Sequence, residues 1–182
     1  MKNVFGRNSF VLLWAFFSAS VFGEAKCLSV QGTVDTQSQN LSVGIPDINA
    51  EQVGVITMFP TLGNGNLFAF QKAFGKVLLT GGIHGTITDV TFTNGIPTNV
   101  ILDHEIGFPG VGSLISIGDT ASFIGLPDAE GNIPVQESGT VEGTESGGGA
   151  FTGLSGDLVA TGMLGMVSGT NSFTYTGKLC WK

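Results

Sequence analysis

The stretch SFTYTGKLC, residues 172–180, decides the fold. Over Phe173–Leu179 each apolar residue or glycine is followed by a polar one, a period of two that is typical of a β-strand with one buried face. The same alternation recurs at short spacing along the chain, between turn signals such as Asn94-Gly95, and helical spacing hardly appears. The sequence therefore predicts eight to ten strands and no helix, with Phe68 and Phe70 on one face of a strand.

The only two cysteines, Cys27 and Cys180, lie beside the first and the last of these strands. An even pair is typical of a disulfide where a chain is exported, which the N-terminal residues described next predict. Closing an up-and-down sheet makes its first and last strands neighbours, so this placement favours a barrel over a sandwich. We therefore expect an all-β domain, a closed antiparallel β-barrel of about eight strands, fastened by a Cys27–Cys180 disulfide.

The N-terminal residues have the order of a secretory signal. Lys2 and Arg7 are followed by the uncharged apolar run Phe10–Phe22 and then by small residues up to Ala25. The apolar run has 13 residues, whereas a membrane-spanning helix needs about 20. The sequence predicts a signal peptide over residues 1–25, one domain over 26–182, and a secreted or periplasmic location.

Composition excludes several classes of partner. Without residues 1–25 the chain keeps five Lys, no Arg and thirteen acidic residues, a net charge near −8. Binding to nucleic acid needs clustered Lys and Arg, so no nucleic-acid partner is expected. The same part of the chain holds one Tyr and one Trp, too few for the aromatic girdles of a membrane barrel, so we do not expect it to insert into a membrane.

The segment SGGGAFTGLSG, residues 146–156, resembles a signature of the allene oxide cyclase and dirigent barrels, and most of all their exported bacterial relatives, the allene oxide cyclase barrel-like domains. The residues of this structural motif are Gly149, Phe151, Gly153 and Gly156. Glycines at these positions would allow a tight, bulged turn, and Phe151 would plug the barrel end. The resemblance implies an eight-stranded barrel with an apolar lumen, often a trimer. Plant members cyclise an unstable fatty-acid epoxide or steer the radical coupling of phenols.

His104 is the one candidate for catalysis. Alternation places it on one face with Val100, Leu102 and Ile106, and these four residues are the predicted ligand-binding set. A His in an apolar lumen can take part in acid–base chemistry. The alternative is a His that only bonds a neighbouring strand.

No metal site or cofactor is expected from the spacing. A His84/His104 pair would need a third ligand. The loop from Asp128 to Asn132 carries oxygen ligands but lacks the downstream Glu of a calcium loop, so a solvated turn is expected there.

The leading hypothesis is an exported barrel that binds or shields a small apolar ligand without catalysis. One alternative is a cyclase-like or dirigent-like enzyme on a reactive apolar substrate. Another is a structural, oligomerising protein that uses the outer residues Val159, Met163 and Val167. An enzyme should show at least two polar groups converging near His104, whereas a binder should have a dry apolar lining.

Overall fold

The computed structural model describes residues 26–39, 48–63, 65–94, 96–145 and 149–181. The predicted signal peptide lies outside the described residues. The described chain forms eight strands and one short helix in this order: β1 (Cys27–Gln39), β2 (Glu51–Pro60), α1 (Asn66–Phe74), β3 (Leu79–Thr93), β4 (Ile96–Phe108), β5 (Gly112–Phe123), β6 (Asn132–Gly143), β7 (Leu154–Gly165) and β8 (Thr170–Trp181).

The eight strands form a closed antiparallel barrel in which each strand pairs with its neighbours in sequence. The barrel closes where β1 pairs with β8, and Cys27 lies opposite Cys180 in that ladder. Their sulfur atoms are bonded to each other, and the two Cα atoms are 4.0 Å apart. Both the barrel and the disulfide that the cysteines predicted are confirmed.

Inward-facing residues fill the barrel in two apolar clusters. The cluster near α1 includes Phe70, Phe108 and Phe151. The cluster at the other end includes Leu102, Val135 and Phe173 among its members. Between them lies a layer that contains polar side chains, and this layer forms the candidate site.

The expectation of a chain without helix is wrong at α1. Phe68 and Phe70 lie in this helix, not on one face of a strand: Phe68 is 73% exposed and Phe70 is fully buried. The Phe70 and Phe74 rings, one helical turn apart, contact each other edge to face at 4.7 Å between centroids. Phe74 in turn contacts Phe151 at 5.0 Å, so α1 covers one end of the barrel.

The pair Gly118-Asp119 lies between two apolar runs and by sequence alone predicts a break between two strands, but the structure has one strand, β5, with a β-bulge at this place. Leu102 lies opposite Asp119 while His104 lies opposite Ser116, so β5 carries one residue more than β4 between these pairs. The pairing of β5 with β6 shows the same shift of one residue, between Ser116 and Thr120. Gly118 supplies the positive φ, 74°, that such a bulge needs. Its N–H donates to Asp103 Oδ1 at 2.8 Å, which fixes the bulge from outside the barrel.

The outer face of β7 is partly apolar, as the sequence predicted. Val159 and Met163 are about two-fifths exposed, and Val167, in the turn that follows, is largely exposed. Leu158 and Ala160 face inward and pack against the core. The homo-oligomer that this outer face suggests stays a prediction.

No helix of the described residues is long and apolar enough to cross a bilayer.

Candidate functional site

Four polar side chains from three adjacent strands meet in the lumen. His104 comes from β4, Ser116 and Asp119 from β5, and Glu137 from β6. His104 Nδ1 lies 2.9 Å from Asp119 Oδ2, and Ser116 Oγ donates to the same oxygen at 2.5 Å. Because a carboxylate only accepts, Nδ1 carries the proton in this contact. Glu137 Oε1 lies 3.6 Å from the same nitrogen. We call these four residues the lumen cluster.

The bulge in β5 creates half of this cluster. In a regular strand, residues three apart point to opposite faces of the sheet. The extra residue before Asp119 changes the alternation, so that Ser116 and Asp119 both face inward and both are buried. A local irregularity at Gly118 therefore places two oxygen donors beside His104.

Two glycines leave the space that the cluster occupies. A Cβ atom on Gly139 of β6 would lie 1.8 Å from Asp119 Oδ1, and one on Gly85 of β3 would lie 2.9 Å from His104 Cδ2. Both distances are far below van der Waals contact. Any larger residue at these positions would displace the carboxylate or the imidazole.

Asp119 keeps one oxygen without a partner. Asp119 is 5% exposed, and its Oδ1 atom is buried and accepts no hydrogen bond from the described part of the chain. A buried polar atom without a partner costs about 1–3 kcal/mol, more where the group is charged. In native structures such an atom binds an ordered water or an ion, or has a catalytic role.

The surroundings raise the pKa of both His104 and Glu137. Burial alone would lower the pKa of His104, but the hydrogen bond with Asp119 and the negative charges of Glu137, Asp119 and Asp103 outweigh it. Burial raises the pKa of Glu137, and the charge of His104 only partly offsets this effect. Of the described residues that line the cavity, none is Lys or Arg, so two carboxyl groups face one imidazole.

The cavity beside the cluster has a volume of about 60 Å³. Its other lining residues are mainly apolar, among them Ile56, Ile83 and Phe173, and it also includes Tyr175. The Tyr175 hydroxyl donates to the Thr57 carbonyl oxygen at 2.7 Å, and burial raises the pKa of this phenol. A space of this size accepts a few water molecules or a ligand of a few non-hydrogen atoms.

The structure divides the predicted ligand-binding set between two cavities. All four residues face inward and are buried, with His104 and Ile106 lining the central cavity. Val100 and Leu102 line a second cavity of about 20 Å³ toward the other end of the barrel. Glu137 borders both cavities. The apolar set therefore does not form one pocket around His104.

The residues of the predicted structural motif lie near the barrel end that α1 covers. Phe151 is fully buried between Phe74 and Phe108. Gly153 has a positive φ of 74°. Gly149 and Gly156 are needed for a different reason from the one predicted, because a Cβ on either would lie within 2.0 Å of a backbone oxygen.

The remaining sequence candidates lie apart from the lumen. His84 is on the outer side, with Nε2 3.8 Å from Glu51 Oε2, and both side chains are more than two-fifths exposed. Asp128 accepts hydrogen bonds from the backbone N–H groups of Glu130 and Asn132 and from the Asn132 side chain, as in a solvated turn. These bonds hold the pKa of its carboxyl below the usual range.

Sequence reasoning found His104 but missed Ser116, Asp119 and Glu137. Glu137 could have been predicted to face the lumen, because the period of two places it on the same face of its strand as Val135 and Val141, both of which are buried. Asp119 needed one further step, which was to interpret Gly118 as a bulge within a strand.

In comparisons with known proteins, no family model, no curated protein and no solved structure matches the chain. The resemblance to the allene oxide cyclase and dirigent barrels therefore stays a prediction.

Proposed function

We propose that this chain is exported and that its lumen holds one small, mostly apolar molecule by a polar group. The observation that supports this proposal is the lumen cluster, in which His104, Ser116, Asp119 and Glu137 converge beside a cavity with mainly apolar walls. A dry lining would suit a purely apolar ligand. The cluster favours instead a ligand with a hydroxyl, carbonyl or amine group, because buried polar groups need partners.

The cavity volume limits the size of the ligand. About 60 Å³ is well below the roughly 150 Å³ in which an engineered apolar cavity binds benzene. We therefore expect a ligand of a few non-hydrogen atoms, or a larger one that enters by moving Phe173 or Tyr175.

Extraction and mass analysis of the purified full chain test the proposal. Val34 lines the cavity from β1, which pairs with none of the three strands that carry the cluster, and Val34→Ile would add one methylene there. Val159→Ile makes the same change on the outer face of β7 and serves as the control. We expect one small molecule to co-purify in equal amounts with the wild type and the control, and in a clearly smaller amount with Val34→Ile. No co-purifying molecule, or equal retention by Val34→Ile, would contradict the proposal.

A cyclase-like or dirigent-like enzyme is the second candidate. Three polar groups, those of Ser116, Asp119 and Glu137, converge on His104. At least two such groups near His104 are expected of an enzyme, so this convergence favours the second candidate. Incubating the extracted molecule with fresh protein separates the two candidates. Conversion that stops in His104→Ala supports the enzyme, whereas binding without conversion supports a carrier.

A further inference from the structure

We propose that His104, Asp119 and Glu137 form a binding site for one divalent transition-metal ion in the barrel lumen. One ligand atom from each of the three residues lies within 4.8 Å of those of the other two. One imidazole with two carboxylates is a donor set that suits Zn²⁺ and its first-row neighbours. The site goes beyond the proposed function, because metal binding does not require an organic ligand.

Two of the distances between the donor atoms are close to those of coordination to a common ion. His104 Nδ1 is 2.9 Å from Asp119 Oδ2 and 3.6 Å from Glu137 Oε1. Donors at about 2.1 Å from a metal, with angles of roughly 90–110° between them, are about 3.0–3.4 Å apart from each other. The two distances from His104 differ from this range by a few tenths of an ångström, and the two carboxylate oxygens lie within 4.8 Å of each other.

Charge favours an ion at the same place. Two carboxylates and one neutral imidazole carry a formal charge of −2 when both acids are ionised, and no Lys or Arg lines this cavity among the described residues. A divalent cation would neutralise this charge inside a low-dielectric lumen. Coordination through Nδ1 would release to the solvent the proton that this nitrogen donates to Asp119.

The unpartnered oxygen of Asp119 is a separate observation that points to a ligand. Oδ1 is buried without a hydrogen bond, while Oδ2 already accepts from His104 and Ser116. Gly139 makes room for Oδ1 itself, because a Cβ there would lie 1.8 Å from this oxygen. Three protein ligands also leave at least one coordination position toward the cavity, which is the arrangement of metal sites that bind a water or a substrate.

Calorimetric titration of the chelator-treated full chain with Zn²⁺ and with Co²⁺ tests the site. We expect one ion per chain, and Glu137→Gln and Asp119→Asn to weaken binding at least about tenfold. His84→Ala, which removes the exposed His of the outer His84–Glu51 pair, is the control and should bind as the wild type does. Circular dichroism confirms that each variant is folded.

A second measurement needs no variant. Paramagnetic Co²⁺ should broaden and shift the ring resonances of His104 far more strongly than those of His84, whose side chain lies on the outer side of the neighbouring strand. The proposal is overturned if neither ion binds or if Co²⁺ affects only His84. It is also overturned if His84→Ala abolishes binding while Glu137→Gln keeps it, because the ion would then be an adventitious ion at the outer pair. Val34→Ile, on a strand that pairs with none of the three ligand-bearing strands, should still bind the ion, so a failed ligand test and a failed metal site give different results.

Discussion

At the scale of single residues, the site depends on two glycines as much as on its polar side chains. Gly139 and Gly85 lie against Asp119 and His104 where any Cβ would overlap with them. Barrel interiors are normally filled by side chains. Two glycines beside buried polar groups show that the space for the lumen cluster is built into β3 and β6.

We predict that Gly139→Ala destabilises the barrel and disturbs the cluster. The added methyl group would meet Asp119 Oδ1 at 1.8 Å, so the carboxylate must leave its hydrogen bonds with His104 and Ser116. Overpacking of this kind costs about 1–3 kcal/mol of the free energy of unfolding. Urea unfolding measures the loss, and the ring resonances of His104 should move.

Gly107→Ala is the matched control, because a Cβ on Gly107 meets no atom within 4 Å. It lies in β4, so this variant should change the free energy of unfolding by no more than about 1 kcal/mol, and removal of backbone freedom favours a gain. Equal losses in the two variants would show that a glycine is needed at position 139 for reasons unrelated to Asp119.

At the scale of elements, α1 is the part of the fold that alternation could not predict. Its sequence NLFAFQKAF places apolar residues at Leu67, Phe68 and Phe70, which fit a strand as well as a helix. The deciding signals are Gly65 and Gly75 at its two ends, which adopt the left-handed conformation there. Short apolar runs are ambiguous between the two structures, and here the contacts with Phe151 and the barrel end favour the helix.

The strands, by contrast, could largely be predicted, because one buried face imposes a period of two on each of them. The alternation from Phe173 to Leu179 corresponds to β8, and the cysteines indicated which strands close the barrel. The polar half of the site could not be found by unbroken alternation. Asp119 faces the lumen only because one extra residue in β5 reverses the alternation, and that reversal depends on pairing with both neighbouring strands.

We predict that Phe70→Ala removes much of the stability that α1 gives to the barrel end. Phe70 is fully buried and contacts Phe74, so its loss leaves a cavity that costs about 3–5 kcal/mol of the free energy of unfolding. Phe68→Ala changes the same residue type in the same helix at a 73% exposed position and should cost no more than about 0.5 kcal/mol. Chemical unfolding of both variants compares them, and similar losses would show that α1 does not cover the barrel as described.

At the scale of the whole molecule, the barrel is held closed in two ways at the same seam. Cα partners run from Cys27 opposite Cys180 to Gln37 opposite Thr170. Asn171 strengthens this seam from the far end, since its side chain donates to Thr36 Oγ1 at 3.0 Å and to Ser38 Oγ at 2.9 Å. The disulfide therefore fastens strands that the ladder already joins, and we expect the barrel to keep its topology without it.

We predict that the double variant Cys27→Ala/Cys180→Ala still forms the barrel but unfolds more easily. The disulfide joins residues 153 positions apart, and in the chain-entropy model a bridge over so long a loop stabilises by about 5 kcal/mol, mainly by restricting the unfolded chain. Urea unfolding should show a loss of up to that size, while the far-ultraviolet circular dichroism of the folded state stays unchanged. Reductant should destabilise the wild type and leave the double variant as it was. If the double variant loses its strand signal without denaturant, the ladder between β1 and β8 cannot close the barrel alone, and the disulfide is a condition for folding.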